Sequence, residues 1–404
     1  MAHGRRTGLA VLIFGVGGSL ALACGGDDTS NPVGDAGPGD VTVADTSAGD
    51  TGGGDTSTSD TGAGDTGADT GKDSGVFDRG PTTLPFNGDP NGLFWDPGVN
   101  AALYIADSVN NSIQKWTDAA GFSVAATLPA LDPLADGGAA NPTLGQVIRL
   151  LDGTLLVTRF GFGQYGAIVV ISPKGDAGVV TGIVDGGPVP LSTKKRRIGL
   201  AVLADGTIVD TYFTPTPDGG PRVGAVAKIN LLAGTEKDLI TGLQKPIGVT
   251  QTLDGRILLS DQDFGYLVAS TLTGGVFTDP DASVADAGVD ADDGSVEAGD
   301  GGVDAADAAP PVDAAPPVDA GPPPSVFATL ASPDLVCQGP DGTFFAGSSA
   351  GTVYQISKTG AVTSFQAGLK SARGCAYDGA HKRLFVAEHD TAGTAHAIRI
   401  FPVP

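Results

Sequence analysis

Four carboxylates recur at one point of a repeated sequence pattern: Asp107, Asp210, Asp261 and Glu388, with Arg159 and Ser348 at the corresponding place in two further copies. Each follows a short β-rich run and opens a polar loop. If the copies follow one path through space, these loops gather on one face, and the four acids would supply hard oxygen ligands for Ca2+. Arg159, Arg197, Lys245 and Arg373 belong near the same face, where they would contact an anionic ligand or balance the acids. The competing reading is local. Polar side chains at strand ends commonly accept hydrogen bonds from their own turn.

Other reactive side chains are few. Three of the four histidines, His381, His389 and His396, fall in the last copy. Glu388-His389-Asp390 has the right types for acid–base work, but neighbouring residues of a strand point to opposite faces, so the three do not converge. The one Gly-x-Ser-x-Gly run, Gly347 to Gly351, lies between two strand-like runs and does not open a helix, and no histidine spacing is typical of zinc sites, which argues against a nucleophilic hydrolase. Trp95 and Trp116 lie in strand-like runs and read as packing residues. Lys194 to Arg197 reads as a solvated basic loop. Cys337 and Cys375 take nearly the same position in successive copies. In an exported protein they would form a disulfide or remain two buried thiols; a bridge needs Cα atoms within roughly 7 Å.

The elements that position these residues are strands. Pro90 to Trp116, PNGLFWDPGVNAALYIADSVNNSIQKW, reads as three short strands separated by a Pro/Gly/Asn turn and an Asn-rich turn. Five more copies follow, most with an Asp-Gly turn between their first two strands: Asp152-Gly153, Asp205-Gly206, Asp254-Gly255, Asp341-Gly342 and Asp378-Gly379. Fourth strands are expected over 122–128, 177–183, 237–243 and 361–367. Six copies spaced by roughly 40–55 residues predict an all-β, six-bladed β-propeller. The last copy runs out of chain after its third strand. Residues 80–86, which precede the first copy, would complete it and close the ring.

Two tracts contain little to bury. Residues 25–75 hold eleven Asp and one Lys, and residues 279–324 hold eleven Asp and one Glu, so they carry most of the net charge of −23. Both are predicted to be disordered: a tether over 24–75, and an insertion over 279–324 within blade four of a propeller spanning 76–404. The remaining chain is almost neutral, which excludes a nucleic-acid-binding surface. Arg5-Arg6, the apolar run from Leu9 to Leu22, and Ala21-Leu22-Ala23 before Cys24 read as a signal peptide over 1–23. The segment resembles a bacterial lipoprotein signal. That implies lipidation of Cys24, a membrane partner reached through the lipid, and residence in the cell envelope, at the outer membrane or cell surface. Ordinary cleavage after Ala23 is the alternative.

The blades resemble NHL-repeat and gluconolactonase-like (senescence-marker-protein) six-bladed propellers, most closely over PNGLFWDPGVNAALYIADS. By that resemblance Asn91 would help hold a divalent cation in the central channel. The family's other ligands have no evident counterparts, and Gln146-Val147 stands where an acid would be sought. The sequence therefore predicts a binding or scaffold module with a protein or small-molecule ligand on its loop face. The alternative is a metal-dependent, lactonase-like hydrolase with its site in the channel.

Overall fold

The computed structural model describes residues 81–131, 143–161, 166–175, 177–179, 191–216, 219–280, 322–392 and 395–404. The signal peptide, Cys24, the tether and nearly all of the insertion lie outside the described residues. Among the described residues, antiparallel strands build six sheets, five of four strands and one of five. Each sheet is one blade, and its inner strands are Pro90–Asp96, Leu144–Arg149, Arg196–Val202, Pro246–Gln251, Pro333–Gln338 and Ala372–Asp378 in blades one to six. Each inner strand packs on the next, and the sixth packs on the first, which makes the ring. The second strands are almost wholly buried, as in Ala102–Asp107 and Arg383–Glu388. Between the sheets, Leu, Ile, Val and Phe side chains pack in clusters.

Ring closure is as expected. Thr82–Pro85 forms the outer strand of blade six, with Thr82 opposite Ile400 and Pro85 opposite Ala397. At one end of this seam Arg383 donates to both Asp118 oxygens, at 2.8 and 2.5 Å, and to Asp378 at 2.9 Å. Its guanidinium lies over Trp95, Trp116 and Phe385. Both tryptophans are thus core residues of the seam, and Trp95 stacks on Phe385 with centroids 5.3 Å apart. In blade four the outer strand is Ser325–Thr329, resumed after the insertion. Just before the insertion, Gly275–Val276 leaves that blade and pairs in parallel with the outer strand of blade three.

One irregularity recurs in all six blades. The register of every inner strand slips once, between Pro90 and Leu93, Leu144 and Val147, Arg197 and Leu200, Pro246 and Val249, Pro333 and Val336, and Ala372 and Cys375. A bulge frees two residues from the ladder and re-aims their side chains. The first freed residue of each blade is Asn91, Gly145, Ile198, Ile247, Asp334 or Arg373. The second is glycine in four blades, because the inner strands nearly touch: a Cβ on Gly92 would lie 2.4 Å from Gly145 O, and one on Gly374 would lie 2.2 Å from Asn91 O. Neighbouring blades supply the hydrogen bonds that the bulged carbonyls lack. Thr158 Oγ1 donates to Ile198 O at 2.5 Å, Thr211 Oγ1 to Ile247 O at 2.7 Å, and Ser260 Oγ to Asp334 O at 2.6 Å.

One expectation is altered by this register. The second strand of blade three, Ile208–Thr214, runs past Asp210, so Tyr212 pairs with Arg197 where Asp107 pairs with Pro90. Asp210 therefore lies within the strand and opens no loop. The outer strand of blade two is described over Ala177–Val179, and residues 180–183 of the expected strand lie outside the described residues. Cys337 and Cys375 lie on adjacent inner strands with Cα atoms 5.7 Å apart and are joined by a disulfide. The inner strands meet closely enough at the axis for the bridge.

Candidate functional site

A cavity of about 440 Å³ occupies the end of the channel where the inner strands begin. All six freed bulge residues line it. Its wall is two-sided. Leu144, Ile198 and Ile247, with Phe160, form an apolar arc from blades two to four. Asp334, Arg373, Asp89 and Asn91, with Ser349 and Ser371, form a polar arc from blades five, six and one. Lys245 and Gln262 of blade four stand at the junction, the lysine donating to the glutamine.

Charge in this cavity is unevenly paired. Burial pushes the Asp334 carboxyl above the usual carboxylate range, although Arg373, the Leu335 N–H and Lys245 pull it back. Burial likewise lowers Lys245, aided by Arg222 and opposed by Asp263 and Asp334. Among the described residues neither Arg373 nor Lys245 has a carboxylate within 4.0 Å. Asn91 is anchored, its Nδ2 donating to Leu144 O at 2.6 Å.

Of the residues expected to act together, Asn91, Arg373 and Lys245 meet in the cavity, while the acids do not. Asp107 accepts from the Asp89 N–H at 3.0 Å and from Asn110 Nδ2 at 2.7 Å. Asp261 accepts from four backbone N–H groups, those of Gln244, Lys245, Asp263 and Phe264. Glu388 accepts from the Lys370 N–H and pairs with Arg399 at 2.9 Å. Asp107 and Asp261 thus bond within their own turns, as in the local alternative, whereas the partners of Glu388 lie on the segment before its blade's inner strand and on the next strand. Asp210 pairs with Arg197, which also reaches Glu236 at 2.6 Å. Arg197 is fully buried, and the two acids override the desolvation that would lower its pKa. Arg159 is buried as well and donates to Asn111 Oδ1 and Pro129 O at 3.0 and 2.9 Å. Neither arginine lines the cavity.

Sequence reasoning missed Asp334 and Asp89 as cavity residues. It also missed the meeting of His389 and His396 with Asp89. The ring closure that brings residues 89 and 389 together was legible, but which side chains face the seam was not.

No protein-family model and no curated protein matches the sequence. Solved structures do. A gluconolactonase from Xanthomonas campestris is 15% identical, with a TM-score of 0.53 over 80% of this chain and 89% of that one. A luciferin-regenerating enzyme is 13% identical, with a TM-score of 0.52 over 80% and 95%. A PQQ-bound aldose sugar dehydrogenase from Streptomyces coelicolor is 12% identical, with a TM-score of 0.51 over 80% and 97%. The fold shared with these structures is the six-bladed β-propeller. At such identities the likeness speaks for the fold alone.

The channel cation implied by the sequence resemblance at Asn91 does not fit the residues present. Hard cations need several oxygen donors with net negative charge. Here the ring of bulge residues offers the Asn91 amide and one carboxylate, Asp334, whose burial favours its neutral form, and the other cavity carboxylate, Asp89, is engaged by His389 at 2.6 Å. Gly145, Ile198 and Ile247 contribute no side-chain oxygen, and Lys245 and Arg373 face the same space.

Proposed function

We propose that the propeller is the ligand-binding module of an exported, lipid-anchored protein, and that its central cavity takes a small anionic ligand with an apolar part. Arg373 carries this reading, because an arginine that lines the cavity with no carboxylate within 4.0 Å among the described residues suits a carboxylate or phosphate. Lys245 adds a second positive charge, and the arc of Ile198, Ile247 and Phe160 suits the ligand's apolar part. The volume suits a molecule smaller than a typical drug. In this account the lipid on Cys24 and the 24–75 tether hold the domain clear of the envelope surface. The metal-dependent lactonase alternative draws on the fold alone and lacks a fitting donor set.

Calorimetric titration with a panel of C4–C8 carboxylates and their phosphate counterparts tests the proposal. At least one anion is expected to bind the wild type, with the heat lost in Arg373→Ala. Absence of heat across the panel, or equal affinity in Arg373→Ala, would count against it.

A further inference from the structure

The seam between blades six and one is fastened differently at its two ends. At one end Arg383 bridges Asp378 and Asp118. At the other, His389 follows the second strand of blade six, His396 precedes its third strand, and Asp89 precedes the inner strand of blade one. His389 Nδ1 lies 2.6 Å from Asp89 Oδ1, and the two imidazole rings lie 4.8 Å apart, centre to centre. One ligand atom from each residue lies within 4.8 Å of the other two. Among the described residues this is where three histidine, cysteine or carboxylate side chains converge closely enough to share an ion.

We propose that Asp89, His389 and His396 bind a divalent d-block cation, with Zn2+ as the reference ion, and that the ion fastens the ring at this end of the seam. The ligand types argue for such an ion. Imidazole nitrogen suits Zn2+, Ni2+ and Cu2+, whereas Ca2+ and Mg2+ require oxygen. Two histidines and one carboxylate leave a fourth position for water or another ligand.

The nearby acids are already engaged. Asp390 pairs with Lys370 at 2.6 Å and Glu388 with Arg399 at 2.9 Å, so Asp89 is the carboxylate left for the ion. Bonds of about 2.1 Å in a tetrahedral site hold donors about 3.4 Å apart, so side-chain rotation must close part of the present spacing. Binding exchanges the His389–Asp89 contact, and the 3.1 Å hydrogen bond from Asp390 N–H to His396 Nδ1, for coordinate bonds.

The ion would act on closure because of what these residues adjoin. Phe86 N–H donates to His396 O at 3.0 Å, and Phe86 and Asp89 bracket the link from the closing strand to the first inner strand. Fixing Asp89 to blade six therefore fixes that link. The cluster stands apart from the anion reading of the cavity, although Asp89 belongs to both walls.

The test uses the full-length chain, stripped of metal and titrated with Zn2+, then with Co2+. The wild type is expected to take one equivalent at this site. Its melting temperature should rise by about 5 °C at an ion concentration about 100 times Kd, with no rise in Ca2+ or Mg2+. Bound Co2+ should give the visible absorption of a nitrogen-ligated site. His389→Ala/His396→Ala, which keeps Cys24 and both acidic tracts, should lose that equivalent and the absorption, whereas His381→Ala should keep them. His396→Gln, closer in size and polarity, gives the same readout if the double variant folds poorly. Undiminished Zn2+ stoichiometry in these variants, or an equal response to Ca2+, would overturn the proposal.

Discussion

Arg197 and Arg373 sit one residue apart in equivalent bulges and lead opposite lives. Arg197 ends the regular ladder of its inner strand, points into the blade and is saturated by Asp210 and Glu236. Arg373 is the first residue freed by its bulge and faces the cavity. A one-residue step in a strand reverses the side chain's direction. In this fold that step separates a structural charge from one available to a ligand, and the same division runs around the ring. The bulges of blades two to four turn Gly145, Ile198 and Ile247 to the cavity, while those of blades five, six and one turn Asp334, Arg373 and Asn91.

The contrast is tested most severely by removing each arginine. Arg197→Leu leaves Asp210 and Glu236 buried without their partner and should cost about 3–5 kcal/mol in urea unfolding. Arg373→Ala should stay within about 1 kcal/mol of wild type. Equal losses would erase the distinction. On the polar side the Cys337–Cys375 bridge ties blades five and six across 38 residues, and its removal by paired alanines should cost about 2–4 kcal/mol.

A smaller effect is expected at Asp334. Its pKa in the folded state lies above its ordinary 3.8, so the folded state holds its proton more tightly than the unfolded one. Stability from this group is present below pH 3.8 and is lost as pH rises through the raised value. Asp334→Asn should therefore gain stability relative to wild type over that rise. Melting curves from pH 3 upward would show the gap opening, and a constant gap would contradict the assignment.

Much of the fold was legible because strand alternation and Asp-Gly turns are local signals, and because a last blade lacking one strand calls for 80–86. The site was less legible. Asp107 and Asp261 looked available because a strand-end acid has the same sequence appearance whether it caps a turn or faces a channel. Asp210 was misplaced by two residues because the second strand of blade three continues to Thr214. Asp334 was missed because a bulge, not alternation, decides where it points. The meeting of Asp89 with His389 and His396 was missed because ring closure, although legible, does not tell which side chains face the seam.

The central claim, that Arg373 holds an anion in the cavity, can be put to native mass spectrometry of protein isolated gently from its producing cell. The account predicts a small anionic molecule retained by wild type, released on unfolding and missing from Arg373→Ala. The same molecule retained equally by both proteins would contradict it.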